Sequence, residues 1–589
     1  MPRTTLALTS FVSGEFSAKM DGRTDFEKYA SGVKTMENFL VHPQGSATRR
    51  VGTQHIAEVK DSTKKTRLIP FEFSTTQTYI LEFGDQYIRF FKDKGQILSG
   101  GSAYEIASPY LEAELFDIKF AQSADVMYLC HPNHDVRKLS RTGHTSWTLA
   151  TVSFTGSPSL PISGANNRPS CVSFFEQRLV FANTITNPQT LWFSKAGDYE
   201  NFTTGTNADD AMIYTIASNQ VNAIQYLKAV RTLIVGTSGG EFTVSADGTD
   251  AAITPTNVTI KRQSSFGSAK VDAIPAGNAV LFLQKAKRKI RELAYNFDSD
   301  GYVAPDLTIL NDTVTKSGVN QMIFQQEPDS IIWCVRDDGV LAGLTYQRSE
   351  NVVAWHRHIF GGSFGSGNSV CESAASISGT LTEDELWVIV KRTINGATKR
   401  YVECFSDFDF DETTATDFKF LDSHLNYSGS ATTTLSGLSH LEGQTVSILA
   451  DGSVHANKVV SSGSVTLDRS VTKACVGLAY DSVLQTMRIE GGAAEGTSQG
   501  KTKRISKVVL RLFETVGVKV GPSLDQLETV PFRTTSSNLS APVDTLLAGD
   551  KEIEFRDDYN SDGFIFIKQD QPLPCSVLAI YPTVVTSDG

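Results

Sequence analysis

Paired apolar strands recur about every fifty residues along most of this 589-residue chain. The strand pairs are centred near Leu81, Tyr128, Val180, Ile234, Phe282, Trp333 and Val388. Successive centres are 47, 52, 54, 48, 51 and 55 residues apart. One strand pair cannot bury its apolar face alone, so neighbouring units must stack or close into a ring. The spacing therefore predicts a mainly β protein with an irregular β-propeller-like array of six or seven blades and under about 15% helix.

Changes in composition divide the chain into four predicted parts. Residues 1–60 form an N-terminal docking unit, and residues 61–420 form the propeller-like domain. Residues 421–485 form a small β-barrel or sandwich, and residues 486–589 form a C-terminal β unit that packs back on the body. An acidic, Thr-rich stretch near residues 408–418 marks the boundary after the array, and the Gly-rich residues 491–500 are typical of a flexible loop.

The N-terminal unit has a sequence unlike the rest. Thr24 to Glu27 match a capping box, and the apolar residues Phe26, Tyr29, Ala30 and Val33 follow at helical spacing. The unit is either an extension packed on the domain or an arm that docks on a partner. In the second interpretation its aromatic residues and surface arginines make the contacts, and a chain without residues 1–50 still folds. The candidate docking residues are Phe16, Arg23, Phe26, Tyr29, Arg49 and Arg50.

Charge and cysteine content limit the function classes. The chain carries 54 basic and 65 acidic residues, a net charge of −11. Such a chain is a poor binder of nucleic acid, whereas acidic walls would let a polyanion pass without retaining it. The seven scattered cysteines contain no CxxC pair and predict reduced, buried thiols and folding in a cytoplasm. Neither a signal peptide nor an 18-residue apolar run occurs, so the sequence predicts no membrane-spanning segment.

One segment is strongly basic against this acidic background. It is either a solvated strand edge, a subunit contact or a weak constriction in a channel. Its cations are Lys285, Lys287, Arg288, Lys289 and Arg291.

Two loops resemble ligand-binding motifs only in part. Residues 495–502 approach a phosphate loop, but Glu495 stands where glycine is required and the following run is β-prone. Asp558, Asn560 and Asp562 match the first half of a calcium loop, but Gln569 replaces the bidentate glutamate. We interpret the first as a mobile loop and the second as a hairpin turn, with a weak cation site as the alternative.

The histidines and carboxylates do not complete a reactive site at the sequence level. His131 and His134 with His144, and the pair His356 and His358, lack a carboxylate or cysteine at convincing spacing. Glycosidase carboxylates cannot be paired from sequence, and no G-x-S-x-G nucleophile motif occurs. We therefore predict a protein that is not an enzyme, with no catalytic residues, metal site or cofactor.

Several strings of residues together resemble a known family. They comprise residues 16–29, 38–45, 47–50, 137–147, 194–202, 292–302, 333–346 and 571–574. The chain resembles, over nearly its whole length, the tail nozzle proteins of short-tailed, podovirus-type bacteriophages, also called tail tubular protein B or stabilisation protein. The least similar region is about residues 425–480.

The resemblance implies a homo-hexameric ring in the virion tail, made in the host bacterial cytoplasm. The ring would continue the channel for double-stranded DNA below a tail adaptor ring, and fibres or spikes would dock on its flank. We expect a net negative lumen and no specific DNA binding. The alternative is a tail-associated propeller that binds or degrades host polysaccharide, which would require two clustered carboxylates in an aromatic-lined cleft.

Overall fold

Antiparallel sheets account for nearly all regular structure in the computed structural model of this protein, with 56% strand and 4% helix. The structure describes residues 3–156, 164–217, 220–248, 251–298, 300–379, 383–408, 415–491, 497–532 and 546–587. Over those ranges no helix has the length and apolar character needed to cross a bilayer. The predicted mainly β, propeller-like fold with little helix is confirmed.

Six strands precede the array. They are β1 (Arg3–Thr5), β2 (Gly14–Glu15), β3 (Gly32–Glu37), β4 (Phe39–Val41), β5 (Ala47–Arg49) and β6 (Thr53–Glu58). Short 3-10 helices at Ala18–Met20 and Glu27–Ser31 lie between β2 and β3. The predicted helix is thus a single tight turn, and Val33 lies in a strand rather than on a helical face. Gly32 starts that strand, where β3 pairs with the parallel strand β2 and the antiparallel Ser482–Thr486.

Blades 1 to 4 follow in chain order. Blade 1 contains β7 (Arg67–Ser74), β8 (Gln77–Gly84), β9 (Tyr87–Lys92) and the edge pieces β10 (Gly95–Gln96) and β13 (Glu105–Ala107), with the hairpin β11 (Leu98–Ser99) and β12 (Ser102–Ala103) between them. After the 3-10 helix Glu112–Asp117, blade 2 contains β14 (Lys119–Ser123), β15 (Val126–His131), β16 (His134–Gly143) and β17 (Ser146–Thr151). Blade 3 contains β18 (Cys171–Phe175), β19 (Arg178–Ala182), β20 (Thr190–Phe193) and β21 (Met212–Thr215). Blade 4 contains β22 (Ile224–Ala229), β23 (Leu233–Thr237), β24 (Gly240–Ala246) and β25 (Val258–Ser264).

Blades 5 to 7 complete the array. Blade 5 contains β26 (Ile274–Ala276), β27 (Ala279–Leu283), β28 (Ile290–Asn296) and β29 (Gly301–Val303). Blade 6 contains β30 (Val319–Gln325), β31 (Ile331–Arg336), β32 (Leu341–Gln347) and β33 (Val352–His358), with a 3-10 turn at Arg348–Glu350. A small hairpin, β34 (Ser363–Phe364) with β35 (Gly367–Asn368), leads to blade 7, which contains β36 (Val370–Ser378), β37 (Asp384–Ile394) and β38 (Ala397–Phe405).

The fourth strand of blade 7 comes from the other end of the array. Strand β6 pairs antiparallel with β38, with Thr53 opposite Phe405 and Glu58 opposite Tyr401. The outer edge of the last blade is therefore supplied by chain that precedes the first blade. This exchange ties the two ends of the array together and removes an exposed sheet edge.

The buried apolar residues show that the ring is closed. Seven apolar clusters each join two successive blades, from blades 1 and 2 around to blades 6 and 7 and then blades 7 and 1. In the last of these, Leu68 and Phe91 of blade 1 pack with Trp387 and Val402 of blade 7. Seven interfaces between seven sheets describe a closed seven-bladed propeller, which decides the blade number that the sequence left open.

Two β lobes extend from the rims of blades 6 and 7. The insert lobe contains β39 (Asp422–Ser436), β40 (Thr445–Ala450), β41 (Ser453–Val459) and β42 (Ser464–Leu478), with 3-10 turns at Ala415–Asp417 and Ser439–Leu441. The terminal lobe combines β1 to β5 with β43 (Ser482–Thr486), β44 (Thr502–Thr515), β45 (Lys519–Gly521), β46 (Glu528–Thr529), β47 (Leu547–Glu554), β48 (Phe566–Gln569) and β49 (Ser576–Ser587).

Both lobes share sheets with the propeller. Strand β39 pairs with β6, so the insert lobe continues the sheet of blade 7 in the order β36-β37-β38-β6-β39-β42-β40-β41. Strands β2 and β3 adjoin β33, so part of the terminal lobe continues the sheet of blade 6. The expected boundary at residues 420–421 thus crosses one sheet. Strands β1 to β5 of the expected N-terminal unit and the strands of residues 486–589 build one joint lobe, while β6 belongs to blade 7.

The two partial motifs lie in loops. Residues 492–496 and 409–414 lie outside the described residues, so the Gly-rich loop and the acidic boundary are seen only at their ends. Thr502 begins strand β44, where a phosphate loop would need a helix. The segment from Asp558 to Asp562 connects β47 and β48, which belong to different sheets, so it is no hairpin turn.

Candidate docking face and central channel

The strand order gives the propeller two different faces. In blades 1 to 6 the first and second strands, and the third and fourth, are joined at one end, which we call the turn face. The middle turn of each blade and the loops to the next blade lie at the opposite end, which we call the connection face. Loops on a rigid sheet scaffold are where binding residues concentrate, so each face is a candidate site.

Apolar and basic side chains are exposed together on the connection face. Val221 and Ile309, on loops entering blades 4 and 6, are 74% and 73% exposed, and Phe266 lies on the loop entering blade 5. Lys285 and Arg288 are exposed on the middle turn of blade 5, between β27 and β28. We call these five residues the connection-face patch. Exposed large apolar side chains beside cations are typical of protein interfaces rather than of free surface.

Three cations of the same turn already have partners. The Lys287 ammonium donates to Asn320 Oδ1 at 3.0 Å, and Lys289 forms an ion pair with Asp306 at 2.9 Å. The Arg291 guanidinium lies 3.5 Å from the centre of the Phe266 ring and donates to Gln284 Oε1. These contacts fix the turn against its neighbours, so only Lys285 and Arg288 of the predicted basic cluster remain free for a partner among the described residues.

The N-terminal arm adjoins this patch. Ser17 N–H donates to the Leu310 carbonyl at 2.9 Å, and the Ser17 hydroxyl donates to Asp312 Oδ1 at 2.8 Å. Lys19 forms an ion pair with the same aspartate. The arm is thereby held on the loop that presents Ile309. Further along it, Arg23 is exposed and pairs with Asp25, while Phe26 is half-buried.

The other four predicted docking residues lie in the interior. Phe16 and Tyr29 pack with Met487 in a small core, and Tyr29 Oη donates to the Arg488 carbonyl at 3.1 Å. Arg49 and Arg50 are both buried. The expectation that these arginines lie on the surface is wrong, because their guanidinium groups satisfy internal carbonyls and a carboxylate. Of the six predicted residues, only Arg23 and part of Phe26 can touch a partner.

Arg49 and Arg50 instead organise the junction of propeller and lobes. Arg50 donates to both carboxylate oxygens of Asp422, at 2.8 and 2.7 Å, and to Asn38 Oδ1 at 2.9 Å. Asp422 also accepts from Gly361 N–H at 2.8 Å. Arg49 donates to the Tyr480 carbonyl at 2.9 Å. A planar guanidinium suits this multidentate role, so the arginines join the N-terminal segment to blade 7 and both lobes.

A cavity of about 280 Å³ lies on the propeller axis. Its wall includes cations from blades 1, 2 and 4 and the approach to blade 5. Lys119 Nζ is 2.8 Å from Asp272 Oδ1, and Lys270 pairs with Asp117 at the same distance. Burial alone would raise the pKa of Asp272, but Lys119, Arg67 and Lys228 together lower it. The channel is thus cationic, although the chain as a whole is acidic.

A wide groove of about 1380 Å³ occupies the turn face between blades 4 and 6. The rings of Tyr295 and Tyr302 meet edge to face at 5.8 Å, and Tyr295 Oη donates to Asp300 Oδ1 at 2.7 Å. Phe324 and Tyr346 also line it. Among the described lining residues Asp300 is the single carboxylate, so the carboxylate pair that glycoside hydrolysis needs is not seen there.

A carboxylate does approach the first histidine pair. Glu114, His131 and His134 have potential ligand atoms within 4.8 Å of one another, a grouping that sequence spacing missed because Glu114 lies on the preceding 3-10 helix. Glu114 accepts from Leu111 N–H, Asn133 Nδ2 and His134 Nε2, and these contacts outweigh its desolvation and lower its pKa to about 2. His131 Nδ1 accepts from Asn133 N–H, so the neutral ring carries its proton on Nε2. That proton occupies the nitrogen a metal would need, so the cluster is better explained as a clasp between blades 1 and 2.

The other three candidate histidines contact neighbouring aromatic side chains. His144 is not part of that cluster, because its Nδ1 lies 2.7 Å from Tyr79 Oη. His356 and His358 lie on one face of β33 with Nδ1 and Nε2 2.6 Å apart, packed against Trp333. Burial lowers the pKa of His356 to about 3, and burial lowers that of His358 well below its usual value. Both rings are therefore neutral at physiological pH.

The aspartates of the partial calcium loop do not converge either. Asn560 Oδ1 accepts from the N–H groups of Asp562 and Gly563 at 2.9 and 2.7 Å, which closes a local turn. Asp562 pairs with Arg488 at 2.9 Å. The side chains serve the turn and the lobe contact, which leaves the weak cation site without supporting geometry.

Sequence reasoning missed the channel cations. Arg67 and Lys119 begin β7 and β14, Lys228 lies in β22, and Asp272 precedes β26. They are far apart in sequence and come together because each lies on, or just before, the innermost strand of a blade. A cation on the first strand of blades 1, 2 and 4 is the signal that identifies them once the blade order is known.

Comparison with known proteins shows a likeness of fold. No protein-family model matches the chain, and no curated protein is significantly similar to it. The β-propeller domain of Myceliophteria thermophila Cps50 (Swd1) is similar over 60% of this chain and 99% of its own, with 9% identity and a TM-score of 0.36. The Neurospora crassa Pan2 WD40 domain is similar over 61% of this chain and 95% of its own, with 8% identity and a TM-score of 0.35.

A third similar structure is YCF48 bound to D1 peptide, which covers 62% of this chain and 97% of its own with 10% identity and a TM-score of 0.34. At these values the seven-bladed assignment rests on the strand pairing and the seven interfaces described above.

Proposed function

We propose that this chain is a structural subunit of the tail nozzle of a short-tailed bacteriophage. Six copies would form a ring in the virion tail that continues the DNA channel below an adaptor ring and anchors fibres or spikes. The proposal is supported by the resemblance of sequence strings spread over nearly the whole chain. It is also supported by a rigid closed propeller whose lobes are built into its sheets, because a conduit must keep its shape under load.

The connection-face patch is the observation that carries the proposal. A single chain has a net charge of −11, so a neighbouring copy as a whole attracts cations. Lys285 and Arg288 are free cations on the same face as the exposed Phe266 and Ile309. Apolar contact supplies affinity and charge complementarity supplies register, so the patch suits a contact with a second copy of this chain.

The charges of the basic turn are compatible with DNA that passes without being retained. Affinity for duplex DNA comes from clustered, uncommitted Lys and Arg, and three of the five cations of the basic turn are held by internal partners. We propose that the DNA channel lies between subunits and has a net negative wall. The axial cavity of one propeller, at about 280 Å³, is far too small for a duplex.

Native mass spectrometry and negative-stain electron microscopy test the ring. The wild-type chain is expected to form six-membered rings at micromolar concentration or in tails isolated from virions. The double variant Lys285→Glu, Arg288→Glu should abolish these rings, because it makes the patch negatively charged and the patch then repels a neighbouring copy of the same net negative chain. The matched control is Lys261→Glu, an exposed lysine of the turn face that should leave rings intact. A chain that stays monomeric and is absent from purified virions would rule the proposal out.

The turn-face groove favours a second candidate function, the binding of surface polysaccharide. Tyrosine faces beside polar groups are a common platform for sugars, and Tyr295 is about half exposed at the groove. A glycan array with the wild-type protein and a Tyr295→Ala variant tests it. Binding that the variant loses would support the candidate, whereas no binding by the wild type would remove it.

A further inference from the structure

The central channel holds more positive than negative charge within a confined space. Arg67, Lys119 and Lys228 line the cavity together with one carboxylate, Asp272. Lys270, also on the wall, is neutralised by Asp117 outside it. Three cations therefore share one carboxylate, which leaves an excess of two positive charges.

These side chains are held by the fold rather than free in solvent. The Lys119 side chain is 5% exposed, and the Asp272 side chain is 47% exposed. Arg67 Nη1 donates to the carbonyls of Leu115 and Ile118, both at 2.8 Å, which orients the guanidinium. The Arg67 Nε–H is buried without a hydrogen-bond partner among the described residues. An orphaned buried donor of this kind indicates a missing acceptor.

Lys228 is the least compensated of the three. Within the described parts of the chain, no group accepts a hydrogen bond from its ammonium. Burial lowers the pKa of Lys228, and the attraction of Asp272 only partly offsets this. A half-buried cation without a partner loses hydration and gains nothing in return, so an anion entering the channel would be bound more strongly there than at the open surface.

We propose that the central channel of the propeller binds a small doubly charged oxyanion of the phosphate class. A phosphate group carries about −1.5 to −2 charges at neutral pH and three or more acceptor oxygens. It would neutralise the excess charge and supply acceptors for Lys228, Lys119 and Arg67. The cavity of about 280 Å³ suits inorganic phosphate or a small phosphate monoester. This site differs in place and chemistry from the ring contact and from the DNA path.

Isothermal titration calorimetry of the full-length protein with inorganic phosphate tests the site. At low ionic strength and pH 7 we expect a dissociation constant below about 1 mM. The Lys228→Met variant removes one charge and keeps the side-chain length, so it should bind at least about tenfold more weakly. Lys261→Met, on the turn face, is the matched control and should bind as the wild type does. Sulfate, another tetrahedral dianion, should compete.

Thermal melting separates a binding role from a structural one. Without phosphate, Lys228→Met should melt at the same or a higher temperature, because a half-buried cation without a partner has been removed. With phosphate, the wild type should gain stability and the variant should not. Glycerol 3-phosphate is the second probe. Whichever of the two probes binds more tightly shows whether the site prefers free inorganic phosphate or a phosphate monoester. No heat and no melting shift with about 20 mM of either probe, or undiminished binding by Lys228→Met, would overturn the proposal.

Discussion

Arg50 and Asp422 form a two-bond ion pair, at 2.8 and 2.7 Å, in which both side chains are wholly removed from solvent. Asp422 begins the insert lobe, and Arg50 lies just before the strand that closes blade 7. Burial alone would lower the pKa of Arg50 and raise that of Asp422, but the pairing shifts both pKa values the other way. Each charge therefore depends on the other, and the pair connects the lobe to the ring.

Breaking this pair should destabilise the protein strongly. Asp422→Asn leaves the Arg50 guanidinium buried without its counter-charge, a loss of about 3–5 kcal/mol in such sites. The expected result is a clear fall in the midpoint of guanidinium-induced unfolding. The exposed pair of Arg511 and Asp550, at 2.7 Å, provides the control, and Asp550→Asn should change the midpoint little. Equal effects of the two variants would contradict the role assigned to Arg50 and Asp422.

Buried histidines should make stability fall in mild acid. Burial lowers the pKa of His356 to about 3, of His424 to about 4, and of His358 well below its usual value. The unfolded chain protonates them near pH 6.5, so their contribution is complete above that pH and is lost as the pH falls below it. Below about pH 6, each of these histidines lowers the free energy of unfolding by about 1.4 kcal/mol for every unit by which the pH falls. Melting between pH 7.5 and 4.5 checks this, and a flat profile would contradict it.

Glu82 should have the opposite dependence on pH. It is buried, Tyr87 Oη donates to its Oε1, and burial raises its pKa to about 7. The folded state keeps its proton while the unfolded state loses it near pH 4.5, so stability falls as the pH rises from 4.5 through 7. Glu82→Gln should therefore stabilise the protein at pH 8 by up to about 3 kcal/mol and have little effect at pH 4.5. Unfolding curves of the wild type and of Glu82→Gln at the two pH values test this. The variant lacks the Glu82 titration, so the change in stability that it retains between the two pH values includes the histidine effect without that of Glu82.

Removing residues 1–50 should prevent folding. A dispensable arm was one of two interpretations of the sequence, but Phe39 and Val41 lie in the core of the terminal lobe and Arg50 bonds to groups at the junction. The truncated chain is expected to aggregate, as judged by soluble yield and circular dichroism. Arg23→Ala, an exposed site in the same segment, should leave both unchanged. A soluble, cooperatively melting truncated chain would restore the separable-arm interpretation.

A glycine at the junction tests how closely the segments approach. A Cβ on Gly52 would lie 1.9 Å from the Leu421 carbonyl oxygen, whereas a Cβ on Gly22 would meet nothing within 4 Å. Gly52→Ala must push the backbone at Gly52 away from that at Leu421 and should lower the free energy of unfolding by about 1–3 kcal/mol. Gly22→Ala should be tolerated. Comparison of the two melting temperatures gives the answer, and equal values would mean that the approach is looser than the structure shows.

The repeat spacing predicted the fold because each blade is a local unit with its own apolar pattern. Trp333 and Val388 mark second strands of blades, so their separation measures the blade length directly. The lobe architecture could not be read in this way. Its strands β2 and β3 adjoin β33 of blade 6 and β43 joins them through β3, so the sheet combines distant segments of the chain and its pairing depends on the finished ring.

Surface position was harder to predict than strand position. Arg49 and Arg50 resemble surface arginines in sequence, and only the partners Asn38, Tyr480 and Asp422 make their burial possible. The basic turn was found because its five cations are consecutive or nearly so. The channel cations were not, because Lys119 and Lys228 are 109 positions apart in the numbering and meet only around the propeller axis.

The strand that completes blade 7 also sets a condition on synthesis. The Thr53 hydroxyl donates to Glu403, 350 residues later, so the ribosome must finish the last blade before strand β6 finds its place. Until then the nascent chain exposes an open edge that chaperones can hold. A prematurely terminated or nicked product cannot close, which would keep defective chains out of any assembly that selects closed rings.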